Sequence, residues 1–403
     1  MSSKLSNLLL NSNNANEVRS LMAQHCKFVA IIAMSIVSFT RMTAADQPQD
    51  VSELLMPLVE KHKVPALAAA VIEGERLTKL GAAGIRARGD EAKVELDDLW
   101  HLGSCTKAMT ATLCARLVEQ GKLKWDSKVG DVFTDQAEPI HAEWRDVTLV
   151  QLLSHRASLP SIPPLPLWLK LVGHDGSRDA REMLLSGGWL KSAPAAAPGS
   201  KWEYSNAGFM LAGLMAERAA NKDWETLMRE LLFEPLGMKS AGFGAPGSAD
   251  KVDQPRGHNA FGFAMKPGKG ADNPRGLGPA GTVHCSLRDW SKFIALHLQA
   301  ARGDCKLLTA ESFHRLHAPQ PIDDKTGYAL GWIILERPWA DGSVLMHNGS
   351  NTMWYSVVWI APKRGFAVMA VTNLAGLGAK DGAAATDAVA SLLIQKQAKP
   401  AKE

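Results

Sequence analysis

Strand-like apolar runs stand near the two ends of this chain, and the long middle between them has none. Residues 66–72 and 77–83 form a first pair, separated at Glu73-Gly74-Glu75. Residues 331–335, 344–347, 356–360 and 366–372 form a second group, with Ala361-Pro362-Lys363-Arg364-Gly365 as the turn between the last two. Between roughly 122 and 280, short helical patterns alternate with loops, and the prolines of 160–166 and 194–199 exclude regular interior elements there. Strands from both ends share one hydrophobic core only if the ends meet. The pattern therefore predicts an α/β (α+β) fold, with one antiparallel sheet of about five or more strands. Helices at 51–62 and 379–395 flank that sheet, and the helical middle is an insertion beside it.

The N-terminus reads as an export leader. Lys27 precedes an apolar stretch at 28–39, and Thr43-Ala44-Ala45 offers small residues for cleavage. Such a helix reaches about 18 Å, short of the roughly 30 Å hydrocarbon core, so a cleaved signal is expected over a membrane span. Residues 1–45 are then leader and 46–403 the folded domain, expected to be exported to the periplasm or secreted. The net charge of +4 is spread along the chain. It leaves no nucleic-acid footprint and does not exclude an anionic small substrate. The spacing of Cys105, Cys114, Cys285 and Cys305 fits neither a disulfide framework nor a zinc ribbon. Cys105 and Cys114 lie on opposite faces of one helix and cannot bridge, whereas pairing of Cys285 with Cys305 is left open.

Ser104-Cys105-Thr106-Lys107 carries the first chemical signal, at the start of a strong helical pattern running to about 120. Three residues along a helix put a hydroxyl and an amine on one face. The amine can take the hydroxyl's proton if burial or a nearby charge depresses its pKa. Ser248 and Lys251 match the same spacing without that context. Tyr204-Ser205-Asn206 is the second signal, ahead of a helix at 207–218. A phenol partly ionised beside a cationic lysine can pass a proton from nucleophile to leaving group, and the amide can orient a carbonyl. The third signal is a Lys or His two residues before Gly at a strand end. His347-Asn348-Gly349 fits this better than Lys325-Thr326-Gly327, which lies in a polar loop after Asp323-Asp324. Gly349 would let substrate backbone approach, and His347 would supply a donor or partial charge to a substrate carboxylate.

The three signals in this order resemble the tyrosine-bearing branch of the serine β-lactamase and penicillin-binding-protein family: class C β-lactamases, serine DD-carboxypeptidases and related esterases. Leu152-Leu153-Ser154-His155, Phe233-Glu234-Pro235-Leu236-Gly237-Met238, Gly278-Pro279-Ala280-Gly281 and the stretch 328–332 resemble that family's landmarks in the family's order. The resemblance implies Ser104 as acylated nucleophile, proton transfer by Lys107 and Tyr204, and substrate positioning by Asn206. It also implies His347 in the third-motif position and an oxyanion hole from the N–H groups of Ser104 and Ser350. No metal or cofactor is implied, and the partner is a small-molecule or peptide substrate. His347 stands where class C enzymes usually carry lysine, and Asn351-Thr352-Met353-Trp354 replaces a common Pro-Gly turn, whose bulk would narrow the mouth. The expected activity is acyl transfer from an amide or ester through Ser104, with D-amino-acid peptides or β-lactams ahead of small carboxylic esters. A penicillin-binding sensor without turnover is the alternative outside catalysis.

Two further features have bland expectations. His314 and His317 read as a solvated pair on one helix, and Trp332 and Trp354 as core or cleft-lining residues. The sequence does not specify the oligomeric state.

Overall fold

Apolar runs at both ends meet in a nine-stranded sheet. The computed structural model describes residues 47–135, 139–300, 305 and 307–398, so the leader, with Lys27 and the 28–39 stretch, lies outside the described residues. Helix α1 (Ser52–His62) leads into β1 (Ala66–Glu73) and β2 (Arg76–Gly84). The C-terminal strands are β3 (Ile333–Arg337), β4 (Gly342–Ser350), β5 (Tyr355–Ala361) and β6 (Phe366–Thr372). The sheet order is Gln49–Asp50, β2, β1, β6, β5, β4, β3, Thr326–Tyr328, Gln320–Pro321. Its ends are joined by the antiparallel pairing of β1 with β6, from Leu67 opposite Thr372 to Glu73 opposite Phe366.

Both faces of the sheet are covered, which is why its central strands read as continuous apolar runs rather than alternating ones. Leu67, Ala69 and Val71 of β1 pack with Leu55 and Val59 of α1 and with Val389 and Leu393 of the last helix (Lys380–Ala398). Ala68, Ala70 and Ile72 face the other way, into the larger core shared with the inserted helical region. Helix α2 (Thr106–Glu119) lies in that core, and each of its residues from Thr106 to Ala115 is buried.

Several expectations shift at their edges. The strand expected from 331 starts at Ile333, because Ala329 N–H donates to Trp332 O and turns the chain first. Ser104 does not begin the α-helix itself; it sits in a 3-10 turn, Gly103–Cys105, ahead of α2. The proline-rich 160–166 stretch is irregular until Pro166, which enters the first turn of a helix (Leu165–Gly173), where a missing N–H costs nothing. A second, three-stranded sheet of Leu99–His101, Val283–Ser286 and Gly242–Phe243 has strands too short for periodicity to reveal. It supports the turn that carries Ser104.

Cys105, Cys114, Cys285 and Cys305 are all free thiols, which closes the question of Cys285 and Cys305. His317 is not half of a solvated pair with His314. It turns inward, its Nε2 lying 2.8 Å from Nδ1 of His297, because the helix carrying it (Ala310–His317) lays its buried side against the core. Among the described residues no helix is long and apolar enough to cross a membrane.

Candidate active site

Ser104 is the one residue between 100 and 115 that is not buried, so its hydroxyl surfaces from an otherwise enclosed segment. The turn beneath it depends on two glycines. Gly103 holds φ at +50°, and a β-carbon there would overlap Ser350 N. A β-carbon on Gly349 would overlap Leu102 O and Ser104 N. The close approach at Gly349 is therefore made by the protein's own backbone, not by substrate as the sequence suggested. The result is that the backbone of Ser104 and that of Ser350, from β4, border the same approach to the hydroxyl.

Lys107 Nζ lies 3.1 Å from Ser104 Oγ, 2.7 Å from Asn206 Oδ1 and 2.8 Å from Ala280 O. The side chain is fully buried, and burial holds its pKa well below the usual lysine range. A neutral amine has two N–H donors and one lone pair. Two carbonyl-type oxygens and one hydroxyl are the partners that satisfy it. Ala280 is held by the Gly278–Gly281 turn, whose Pro279 O accepts from Thr110 Oγ1 of α2 at 2.7 Å.

Tyr204 O–H donates to Ser104 Oγ at 2.8 Å. Ser205 caps the next helix (Asn206–Ala220) by accepting from Gly208 N–H at 2.9 Å, which places Tyr204 just before the helix and Asn206 as its first residue. Burial pushes the phenol's pKa up, so Tyr204 keeps its proton. The partly ionised tyrosine expected from sequence is thus corrected: the lysine beside it is desolvated too and offers no full positive charge.

His347 sits on β4 facing Lys107, yet not as a carboxylate-binding cation. It is buried, and burial followed by the proximity of Lys107 brings its pKa down to about 3. Nδ1 donates to Asn348 O, so Nε2 is an acceptor and takes the Tyr328 O–H at 3.2 Å. Both ring nitrogens are occupied within the protein. Lys325 lies in an exposed turn whose N–H groups cap Asp323, away from this cluster. Ser248 Oγ donates to Asp253, and Lys251 is exposed, so the second Ser-x-x-Lys match is an ordinary turn.

The structure thus brings Ser104, Lys107, Tyr204, Asn206, His347, Gly349 and Ser350 into one place. It adds neighbours that spacing did not reveal. His155 accepts from Ser205 N–H at its Nδ1, and its ring lies 4.4 Å from that of Tyr204 and 4.5 Å from that of Tyr328. Trp202 meets His155 edge-on at 5.9 Å and lies tilted against Tyr204 and Tyr328. Trp332 and Trp354 are core residues, and Trp354 meets Trp100 edge-on at 6.2 Å. Trp354 points inward, so its bulk does not narrow the mouth. His155 and Ala280 belong to stretches that resembled family landmarks, but sequence offered no way to place them against the lysine and tyrosine.

The family model for β-lactamases matches residues 51–392. The chain belongs to the β-lactamase family. Penicillin-binding protein 4 of Amycolatopsis lactamdurans is 27% identical over 323 residues, covering 78% of this chain and 82% of that protein. The D-alanyl-D-alanine-carboxypeptidase/endopeptidase AmpH of Escherichia coli K12 is 28% identical over 226 residues, covering 54% of this chain and 57% of the relative. In fold, the chain is similar to the octameric penicillin-binding protein homologue from Pyrococcus abyssi, with a TM-score of 0.68 at 22% identity over 84% of this chain and 75% of the other. As a member of this family the chain is a serine hydrolase.

Proposed function

We propose that the chain cleaves an amide or ester by acyl transfer to Ser104, with Lys107 as the base that takes the serine proton. The observation that carries this reading is the neutral-amine arrangement at Lys107, 3.1 Å from Ser104 Oγ. The serine oxygen bonds to the substrate carbonyl carbon while its proton passes to Lys107 Nζ. The carbonyl oxygen becomes an oxyanion facing the N–H groups of Ser104 and Ser350. As the tetrahedral centre collapses, the bond to the leaving group breaks and Tyr204 O–H supplies that group's proton. The Lys107 ammonium then returns its proton to the Tyr204 phenolate, and water attacks the ester with its proton passing to Lys107 and the Ser104 oxygen regaining a proton from Tyr204 as it leaves.

Among substrates, D-amino-acid peptides or β-lactams lead, supported by a relative named for D-alanyl-D-alanine cleavage and another named as a penicillin-binding protein. A specific observation favours small esters or acyl compounds without a free carboxylate as the second reading. His347, in the third-motif position, is neutral and hydrogen-bonded to Tyr328 and Asn348, so it offers no cation to a carboxylate. Export of the chain belongs to the same proposal and rests on the leader sequence.

The test is incubation with a penicillin, a p-nitrophenyl ester and a D-Ala-D-Ala peptide, following product release and intact mass, with Ser104→Ala in parallel. Turnover of the peptide or penicillin supports the leading reading, and turnover of the ester alone supports the second. A stable adduct without turnover points to a sensor. Activity that survives in Ser104→Ala sinks the assignment.

A further inference from the structure

Three segments come together at one carboxylate behind the nucleophile. Asp272 Oδ1 accepts from Asn351 Nδ2 at 3.0 Å and lies 2.7 Å from His101 Nε2. His101 is buried on Leu99–His101, three residues before Ser104, and its Nδ1 accepts from Gly103 N–H at 3.1 Å. With Nδ1 committed to Gly103, Nε2 is the ring nitrogen beside Asp272, in close electrostatic contact rather than in an aligned hydrogen bond. Asn351 is buried and directly follows Ser350. Its Oδ1 accepts from Met353 N–H and Trp354 N–H, pinning the turn after β4. One arm from Asp272 thus reaches the backbone beside Ser104 N–H, and the other reaches the residue beside Ser350 N–H.

The geometry points to Asp272 as a positioning residue that sets the separation of the two oxyanion-hole donors, acting through His101 on one side and Asn351 on the other. The inference rests on the acyl-transfer reading above, which names those two N–H groups. His101 and Asp272 are not a proton relay to the nucleophile, because the second ring nitrogen is committed to Gly103 rather than to Ser104 Oγ. Their contribution is spatial. Donors in an oxyanion hole act only when aimed at where charge develops, and losing one typically costs about 10²–10³ in rate. A misplacement of about 1 Å can cost on the order of 10². The packing of Gly103 against Ser350 and of Gly349 against Ser104 means that a shift of either segment is felt by the other.

The test uses the full chain with phenylboronic acid, which forms a tetrahedral adduct on a reactive serine, beside steady-state hydrolysis of a p-nitrophenyl ester. Asp272→Ala is expected to lower kcat by about 10–100-fold with KM changed much less, and to weaken boronate inhibition by about 10-fold or more. Asp272→Asn keeps the acceptor for Asn351 and an oxygen beside His101, and is expected to stay within about 3-fold of wild type. That rescue, and the split between kcat and KM, would not follow from general loosening of the fold. Wild-type kcat and boronate affinity in Asp272→Ala, with Ser104→Ala inactive, would overturn this proposal alone. Full turnover by Ser104→Ala would remove the acyl-transfer reading and this proposal with it. If Asp272→Ala loses its cooperative thermal transition, Asn351→Ala severs one arm and takes the same two measurements, with unchanged boronate affinity as the overturning result.

Discussion

Lys107 Nζ and Asn206 Oδ1 stand 2.7 Å apart, and the amide oxygen is a partner that a neutral amine can donate to without being charged by it. A carboxylate at the same place would act in the opposite sense. It would stabilise the ammonium, raise the lysine pKa and protonate the base that the serine needs. Asn206→Asp is therefore expected to cost about 10–100-fold in kcat/KM near pH 7, within the range of general-base effects. Part of the loss should return as pH rises, since the shifted lysine deprotonates later. A pH–rate profile whose acidic limb does not move upward would contradict the neutral-lysine assignment.

Tyr204 keeps its proton and donates to Ser104 Oγ, so its contribution should be greatest when the leaving group must be protonated. Tyr204→Phe is expected to lower kcat/KM by about 10²–10⁴ on an amide and much less on a p-nitrophenyl ester, whose leaving group departs as an anion. The measurement is the dependence of rate on leaving-group pKa in a series of aryl esters and anilides. Equal losses across the series would assign Tyr204 to orientation instead.

Much of this arrangement was legible in the sequence, and the limits have physical causes. Ser104 and Lys107 announce themselves because three residues in a helical turn impose a shared face, and the structure places them 3.1 Å apart. The apolar run before His347 marks a strand in the sequence, and β4 includes it. What periodicity does not encode is burial after folding. The protonation of Tyr204 and the neutrality of His347 follow from desolvation by segments that fold over them from elsewhere in the chain. Nor does it encode convergence: His101, Asp272 and Asn351 occupy three unrelated stretches that only the second sheet and the turn after β4 bring together.

Cys105, adjacent to the nucleophile, should be inert. Burial raises its thiol pKa to about 12, and its sulfur rests 3.3 Å from Ser356 Oγ. Cys114 and Cys285 are likewise buried with pKa values pushed up, while Cys305 is half-exposed. Iodoacetamide applied to the native protein should alkylate Cys305 ahead of the other three, by peptide mapping, with hydrolase activity retained. Rapid labelling of Cys105 accompanied by inactivation would indicate that the segment opens in solution.

Acid should destabilise the fold through its buried histidines. Desolvation lowers the pKa of His258, His284 and His317 to about 4 and that of His347 to about 3. The unfolded chain takes up a proton at each of these near pH 6.5, while the folded chain does not. Unfolding therefore binds protons between about pH 6.5 and 4, and stability rises with pH across that window. Each fully buried histidine contributes a slope of about 1.4 kcal/mol per pH unit there. Thermal midpoints should fall steadily from pH 7 to pH 4.5, and a flat profile would show that these rings are protonated in the fold.

The choice between His347 and Lys325 can be settled by kinetics. Lys325 is exposed in a turn whose contacts are made by backbone N–H groups, so Lys325→Ala removes no buried partner and should leave kcat/KM within about 2-fold. His347→Ala does remove one. The Tyr328 hydroxyl loses its acceptor inside the protein, which costs about 1–3 kcal/mol for an unsatisfied buried polar group. Tyr328 also lies 4.5 Å, ring to ring, from His155, which in turn packs against Tyr204, so the disturbance has a short route to the phenol that donates to Ser104. His347→Ala is accordingly expected to lower both the thermal midpoint and kcat/KM, the latter by about 10-fold or more on an ester substrate. His347→Gln retains an amide oxygen as acceptor and should recover part of both losses. Because the ring is neutral in the fold, neither variant should change the dependence of KM on a substrate's negative charge. A selective loss of affinity for carboxylate-bearing substrates in His347→Ala would show that the imidazole binds that group after all, while a large loss confined to Lys325→Ala would move the third motif to residues 325–327.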